Sequence, residues 1–205
     1  MTNATAEVIK NLSDGEIYTS QEIANLLDCS VDEIDRVLID PSISKTYGDG
    51  SGVLYIMDIK YDTIVDGDGF RNTVYLAGCN IHCEGCHNSQ SWDIINGIPV
   101  TVNELFEKLS NSDNNVTFSG GEASLQAKVL TKLTKMLTDK TIWLYTGHLL
   151  EDLQQDPTVS ELLKYIDVVV DGPFVLKNRT VDIPFVGSTN QRIMRKIGDG
   201  CYRKD

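Results

Sequence analysis

From residue 58 onward the apolar positions follow two alternating rhythms. Short runs of apolar or β-branched residues occupy 73–77, 116–118, 142–145 and 168–170, each compact enough for a strand buried on both faces. Between them, apolar residues recur every three or four positions over 102–109, 125–137, 149–153 and 159–165, the spacing of helices with one apolar stripe. Strands that alternate with helices predict an α/β fold with a parallel sheet and crossover helices. The 148 residues of this segment fall well short of the roughly 250 of a closed eight-fold barrel, so the expectation is a partial, open (β/α) barrel.

Residues 1–57 have a different pattern. Val8, Ile9 and Leu12 form one helical stripe. Ser20 can cap a second helix carrying Ile23, Leu26 and Leu27, and Ser30 a third carrying Val31, Ile34 and Val37, which Pro41 stops. A glycine-rich turn at 47–52 leads to Val53, Leu54, Tyr55 and Ile56, which read as a strand. The order resembles a small winged helix-turn-helix domain and suggests a boundary near residue 57. Charge argues against DNA. The segment holds three cations (Lys10, Arg36, Lys45) against ten acids, a net of −7. A DNA-binding surface commonly neutralises about 6–10 phosphates. Packing or docking onto a protein remains.

The whole chain of 205 residues carries a net charge of −12, of which residues 58–205 contribute −5. That balance disfavours nucleic-acid partners. No apolar run reaches membrane-span length, and the first residues lack the basic-then-apolar order of a signal segment, so a cytoplasmic location is expected.

Five cysteines are present, and three of them, Cys79, Cys83 and Cys86, fall within eight positions as C-x3-C-x2-C. Clustered cysteines in such a chain indicate metal rather than disulfides. They follow a predicted strand directly, at the sheet end where open α/β folds place their chemistry. Three thiolates on an iron–sulfur cubane leave one iron without a protein ligand, and an open coordination position marks a catalytic metal. The competing reading is structural zinc held by the same cysteines with His82 or His87. Further on, Ser119, Gly120, Gly121 and Glu122 end a strand. The glycines expose backbone polar groups, and Glu122 can accept hydrogen bonds from an amine.

C-x3-C-x2-C after one strand and Ser-Gly-Gly-Glu after the next resemble the radical S-adenosylmethionine enzymes, and within them the glycyl-radical-enzyme activases. Val65-Asp66-Gly67-Asp68-Gly69-Phe70-Arg71 is similar to their V-D-G-P-G-x-R segment, with Asp68 in place of proline. Cys86-His87-Asn88 with Ser91-Trp92-Asp93 is similar to their C-[HY]-N…[ST]-W. Gly120-Gly121-Glu122-Ala123 with Leu125-Gln126-Ala127 resembles the pyruvate formate-lyase branch. Three longer stretches, 142–147, 170–174 and 184–192, resemble the branch that activates the anaerobic ribonucleotide reductase.

The resemblance covers residues 58–197 and implies a 4Fe-4S cluster on Cys79, Cys83 and Cys86. It also implies S-adenosyl-L-methionine beside Asn88, Ser119, Gly120, Gly121 and Glu122, with Asp171 nearby. Asn190 can bind the nucleoside part of that cofactor or the partner's backbone. Expected partners are the catalytic subunit of the anaerobic reductase and a flavodoxin- or ferredoxin-like electron donor. Activation of pyruvate formate-lyase and a zinc-binding regulator are the alternatives. Cys201, in a glycine-rich tail, is expected to be exposed.

Overall fold

A computed structural model describes residues 52–198 and 200–205. The chain divides into two units, Met1–Gly52 and Val53–Asp205. The helix-turn-helix expected before residue 52 lies outside the described residues.

The second unit is built on one open eight-stranded sheet. Its strands are β1 (Val53–Thr63), β2 (Arg71–Leu76), β3 (Ile98–Thr101), β4 (Asn115–Gly120), β5 (Ile142–Tyr145), β6 (Val168–Asp171), β7 (Arg192–Gly198) and β8 (Cys201–Lys204). Their order is β3-β1-β2-β4-β5-β6-β7-β8. The four central strands β2, β4, β5 and β6 are parallel, as the apolar runs predict. The flanks differ from expectation. β1 and β3 extend the sheet antiparallel on one side, and β7 and β8 on the other.

The strand read at residues 53–56 is present, but it does not complete a wing. Val53–Ile56 pairs with Thr101–Ile98, and Ile56 also pairs with Leu76, so it opens the large sheet. The boundary therefore falls before Val53 rather than at residue 57. The glycine-rich tail around Cys201 is likewise the start of β8, with Cys201 exposed.

Helices α1 (Val102–Ser110), α2 (Ala127–Met136), α3 (Leu150–Leu153) and α4 (Pro157–Leu163) connect the parallel strands. α1 begins with a capping box: Thr101 Oγ1 accepts the Glu104 amide, and Glu104 returns a bond to the Thr101 amide. α4 starts on Asp156, whose carboxylate accepts the amides of Thr158 and Val159. Leu105, Leu109, Leu130, Leu133 and Leu162 pack with Val74, Val116, Phe118, Leu144 and Val169 into the main core. Alternation along each strand sends the neighbouring residues to the opposite, helix-free face. There Thr73, Thr117, Trp143 and Val168 stand in register across four strands. None of the helices among the described residues is long and apolar enough to cross a membrane.

The helix-free face is closed by loop 64–70. Arg71 is fully buried and donates to Thr117 Oγ1 (2.6 Å), the Val116 carbonyl (2.6 Å), the Asp68 carbonyl (3.0 Å) and the Thr141 carbonyl (2.8 Å). Its guanidinium lies 5.4 Å from the Trp143 ring centroid, and that of Arg195 lies 5.3 Å away. Burial pushes Arg71 down to about 10, still fully protonated at neutral pH. Asp68, in the family's proline position, receives Arg195 at 2.8 Å and so ties the loop to β7.

Candidate active site

The site forms where the central parallel strands end. Residues 77–88 leave β2 as a loop carrying the three cysteines, and backbone hydrogen bonds fix its start. Gly78 N–H donates to the Ser91 carbonyl and Cys79 N–H to the Trp92 carbonyl, both at 2.8 Å. The turn after β4 holds the same loop from the other side, with Gly121 N–H on the Leu76 carbonyl (2.8 Å) and Glu122 N–H on the Gly78 carbonyl (2.7 Å). The fit requires glycine, since a Cβ on Gly121 would stand 2.2 Å from the Gly78 oxygen.

Cys79, Cys83 and Cys86 are free and half-buried. The Ile81 amide donates to Cys79 Sγ and the Asn88 amide to Cys86 Sγ, each at 3.4 Å. Burial pushes the Cys83 thiol up. Among the described residues, no three or more His, Cys, Asp or Glu side chains converge on a position for a single ion. The His82 ring stacks on Trp92 at 4.6 Å, and the His87 ring tilts toward Phe174 at 6.3 Å. The fourth described cysteine, Cys201, lies in β8 and does not line the cavity. Three soft thiols on one loop, with no fourth beside them among the described residues, fit a cluster that keeps one iron open.

The cysteines line a cavity of about 680 Å³, within the ~300–1,000 Å³ usual for small-ligand sites. Asn88, Ser119, Gly120, Gly121 and Glu122 line it too. Asp171 and Asn190 do not. The Asp171 carboxylate is fully buried, accepts the Leu150 amide at 2.8 Å and pairs with the Arg192 guanidinium. It is neither a solvated turn residue nor a wall of the cavity. Asn190 Nδ2 donates to the Pro173 carbonyl at 2.8 Å, and its neighbour Gln191 lines the cavity instead.

Glu122 lines the cavity with a braced carboxylate. Its carboxylate is fully buried and accepts Ser124 N–H (3.0 Å), Gly147 N–H (2.9 Å) and the Thr146 hydroxyl at both oxygens (2.9 and 3.1 Å). These bonds tie the end of β4 to the end of β5. Gly147 in turn lies under the cysteine loop, where a Cβ would meet Ile81 Cδ1 at 2.4 Å. In the same way, the Gly121 and Glu122 amides are used within the protein.

Several walls of the cavity escaped sequence reasoning: Ile64, Tyr145, Arg179, Val181 and Ile183. Tyr145 is the last residue of β5, and burial pushes its phenol well above the ordinary value. Arg179, Val181 and Ile183 sit in a polar-looking connection with no periodicity to flag them.

A family profile described as a 4Fe-4S single cluster domain matches residues 65–194. The anaerobic ribonucleoside-triphosphate reductase-activating protein of Enterobacteria phage T4 is 33% identical over 162 residues, covering 72% of this chain and 100% of that protein. The chain belongs to the glycyl-radical-enzyme activases. The activating protein of the same name in Vibrio cholerae serotype O1 is 34% identical over 145 residues, covering 64% of this chain and 92% of the relative. The pyruvate formate-lyase-activating enzyme of Clostridium pasteurianum is 37% identical over 94 residues, or 42% of this chain and 40% of that one. This activase is thus an iron–sulfur enzyme, and its three-cysteine loop and glycine turn fall inside the matched segment.

Proposed function

We propose that this activase generates the glycyl radical of an anaerobic ribonucleotide reductase by reductive cleavage of S-adenosylmethionine. The observation that carries the reading is the convergence of Cys79, Cys83 and Cys86 with the Ser119–Gly120–Gly121 turn on one cavity. In the bound state, a 4Fe-4S cluster on the three thiolates would supply one electron to the sulfonium and a free iron for its amino and carboxylate groups. Carbonyl oxygens of the glycine turn suit an ammonium group, because they accept and do not donate. Asn88, between the cysteine loop and the wall, offers both a donor and an acceptor. Phe174, Phe185 and Val186 keep the site apolar. One electron enters from a flavodoxin- or ferredoxin-like donor, and the carbon–sulfur bond breaks to methionine and a 5′-deoxyadenosyl radical. That radical takes the Cα hydrogen of a partner glycine, leaving 5′-deoxyadenosine and a glycyl radical.

The open β2-β4-β5-β6 arc serves this chemistry as a partial barrel, since a closed one would bar a backbone glycine. A cytoplasmic location fits an enzyme that works on such a partner. The pyruvate formate-lyase branch is not favoured. The likeness at Leu125-Gln126-Ala127 includes Gln126, whose side chain donates to the Tyr55 and Ala77 carbonyls and accepts the Tyr55 amide. That residue braces the sheet rather than meeting a partner.

The test is anaerobic iron–sulfur reconstitution, then dithionite and S-adenosylmethionine. Formation of 5′-deoxyadenosine, and a glycyl-radical signal on added reductase but not on pyruvate formate-lyase, is expected. Cys83→Ser should abolish both the cluster absorbance and the product. A colourless reconstituted protein, or one that makes no 5′-deoxyadenosine, would end the proposal.

A further inference from the structure

Two loops fold over the helix-free face and line the cavity where it opens. Loop 64–70 is pinned from beneath. The Asp66 carboxylate accepts Tyr75 Oη at 3.0 Å, the Asp66 carbonyl accepts Thr117 Oγ1 at 2.8 Å, and Arg71 holds the Asp68 carbonyl. Its aliphatic residues point the other way: Ile64 is 62% exposed and Val65 69%. The second loop, between β6 and β7, is closed into an arch. An isolated bridge joins Arg179 to Ser188, Thr180 N–H donates to the Gly187 carbonyl at 3.1 Å, and Phe185 packs edge-on against Trp143 at 5.2 Å. At its tip Val181 is 85% exposed, with Ile183 beside it. All four aliphatic residues line the cavity. Arg179 lines it as well, the one fixed cation among its lining residues, and its side chain makes no hydrogen bond or ion pair among the described residues.

Exposed aliphatic side chains on loops braced at neighbouring positions serve contact with another molecule rather than folding. A free arginine adds a site for an anion. The rim is continuous with the cavity that holds the cysteines, so whatever rests on it is delivered to the reacting centre. We infer that Ile64, Val65, Val181 and Ile183 grip an extended peptide of the reductase by aliphatic side chains flanking its glycine, and that Arg179 pairs with a carboxylate on that peptide. Because glycine has no side chain, a peptide held by its flanking residues can bring its Cα hydrogen closest to the cavity. Loops already braced by their neighbours suit this task, since less ordering is required on the enzyme side. The inference rests on the functional reading above and adds the residues that select the partner.

The test is a binding titration of the reconstituted full chain with the purified catalytic subunit of the anaerobic reductase. It is read by anisotropy, without turnover. The pair Val65→Asp and Val181→Asp should weaken binding at least about tenfold, because an unpaired carboxylate buried in an interface is heavily disfavoured. The pair Val65→Leu and Val181→Leu should stay within about threefold, since it keeps the rim apolar. Arg179→Glu alone should weaken binding and reduce its sensitivity to salt. Wild-type affinity in the aspartate pair, or equal loss in both pairs, overturns the inference. So does an aspartate pair that alters only self-association in sedimentation, which would make the rim a face between two copies. If wild-type chain makes no 5′-deoxyadenosine, the functional reading fails on its own evidence. If it does, but rim variants bind the reductase normally, only the rim assignment falls.

Discussion

At the residue scale, Glu122 braces the site that it also lines. Its buried carboxylate accepts from Ser124, Thr146 and Gly147 while it lines the cavity. Glu122→Gln keeps the volume but turns one acceptor into a donor facing donors, at a cost of about 1–3 kcal/mol. The expected result is a lower urea midpoint even in cluster-free protein. An unchanged midpoint would show that the brace is not needed. Gly121→Ala acts by contact alone. Its Cβ would lie 2.2 Å from the Gly78 oxygen, so the Glu122 N–H bond to Gly78 must yield and the cysteine loop must move with it. Iron per chain after reconstitution should fall below wild type. The cysteines themselves were legible in the sequence, because spacing within one loop survives any fold around it. The work of Glu122 was not, since Thr146 lies 24 residues away and meets it only when β4 and β5 pair.

At the element scale, Asp171 joins three pieces of structure. It closes the N-terminus of α3 through the Leu150 amide and receives Arg192 at the start of β7, which also reaches Glu151 at 2.6 Å. Removing one partner of a buried ion pair costs about 3–5 kcal/mol, and the partial exposure of Arg192 places Asp171→Asn at the lower end. Thermal unfolding of this variant should show a clear drop in Tm. Acid should weaken two helices. Hydrogen bonds from Thr101 hold the Glu104 carboxyl below the usual range, and the Lys164 and Lys135 ammonium groups hold Glu161 down at about 2. A depressed folded-state pKa means that the stabilisation is complete above the ordinary value of about 4.3 and is lost as pH falls below it. For Glu161 the loss extends through about 2. Calorimetry between pH 5 and 2 should show a shallower fall for Glu161→Gln than for wild type, and parallel curves would refute the assignment.

At the scale of the whole molecule, the decisive boundary is the one before β1. A chain beginning at Val53 retains the ladder that pairs Val53–Ile56 with Thr101–Ile98. A chain beginning at Asp58 loses that ladder together with the buried side chains of Leu54 and Ile56. Losing large buried aliphatics costs roughly 2–5 kcal/mol apiece, a large share of the stability of an ordinary domain. The shorter chain is expected to be insoluble or molten by near-ultraviolet circular dichroism, while the longer one keeps a cooperative transition. Equal behaviour of the two would mean that β1 begins later than Val53.

The sequence alone determined the parallel centre of the sheet, the helices over it and the three-thiol loop. Strands buried on both faces must be apolar throughout, and ligands on one loop keep their spacing. Only the tertiary structure decided the antiparallel flanks. β3 is four residues long and carries Pro99, tolerable at a sheet edge, and β8 is four residues long and mostly exposed. Neither needs an apolar run, and the run at 53–56 that opens β1 does not itself reveal which strands it pairs with. The tertiary structure likewise decided that Asp171 is a strut, that Glu122 is a brace, and that Val65 and Val181 open onto one cavity. Each of these depends on groups far apart in the chain, whose meeting is set by strand order and not by any local pattern.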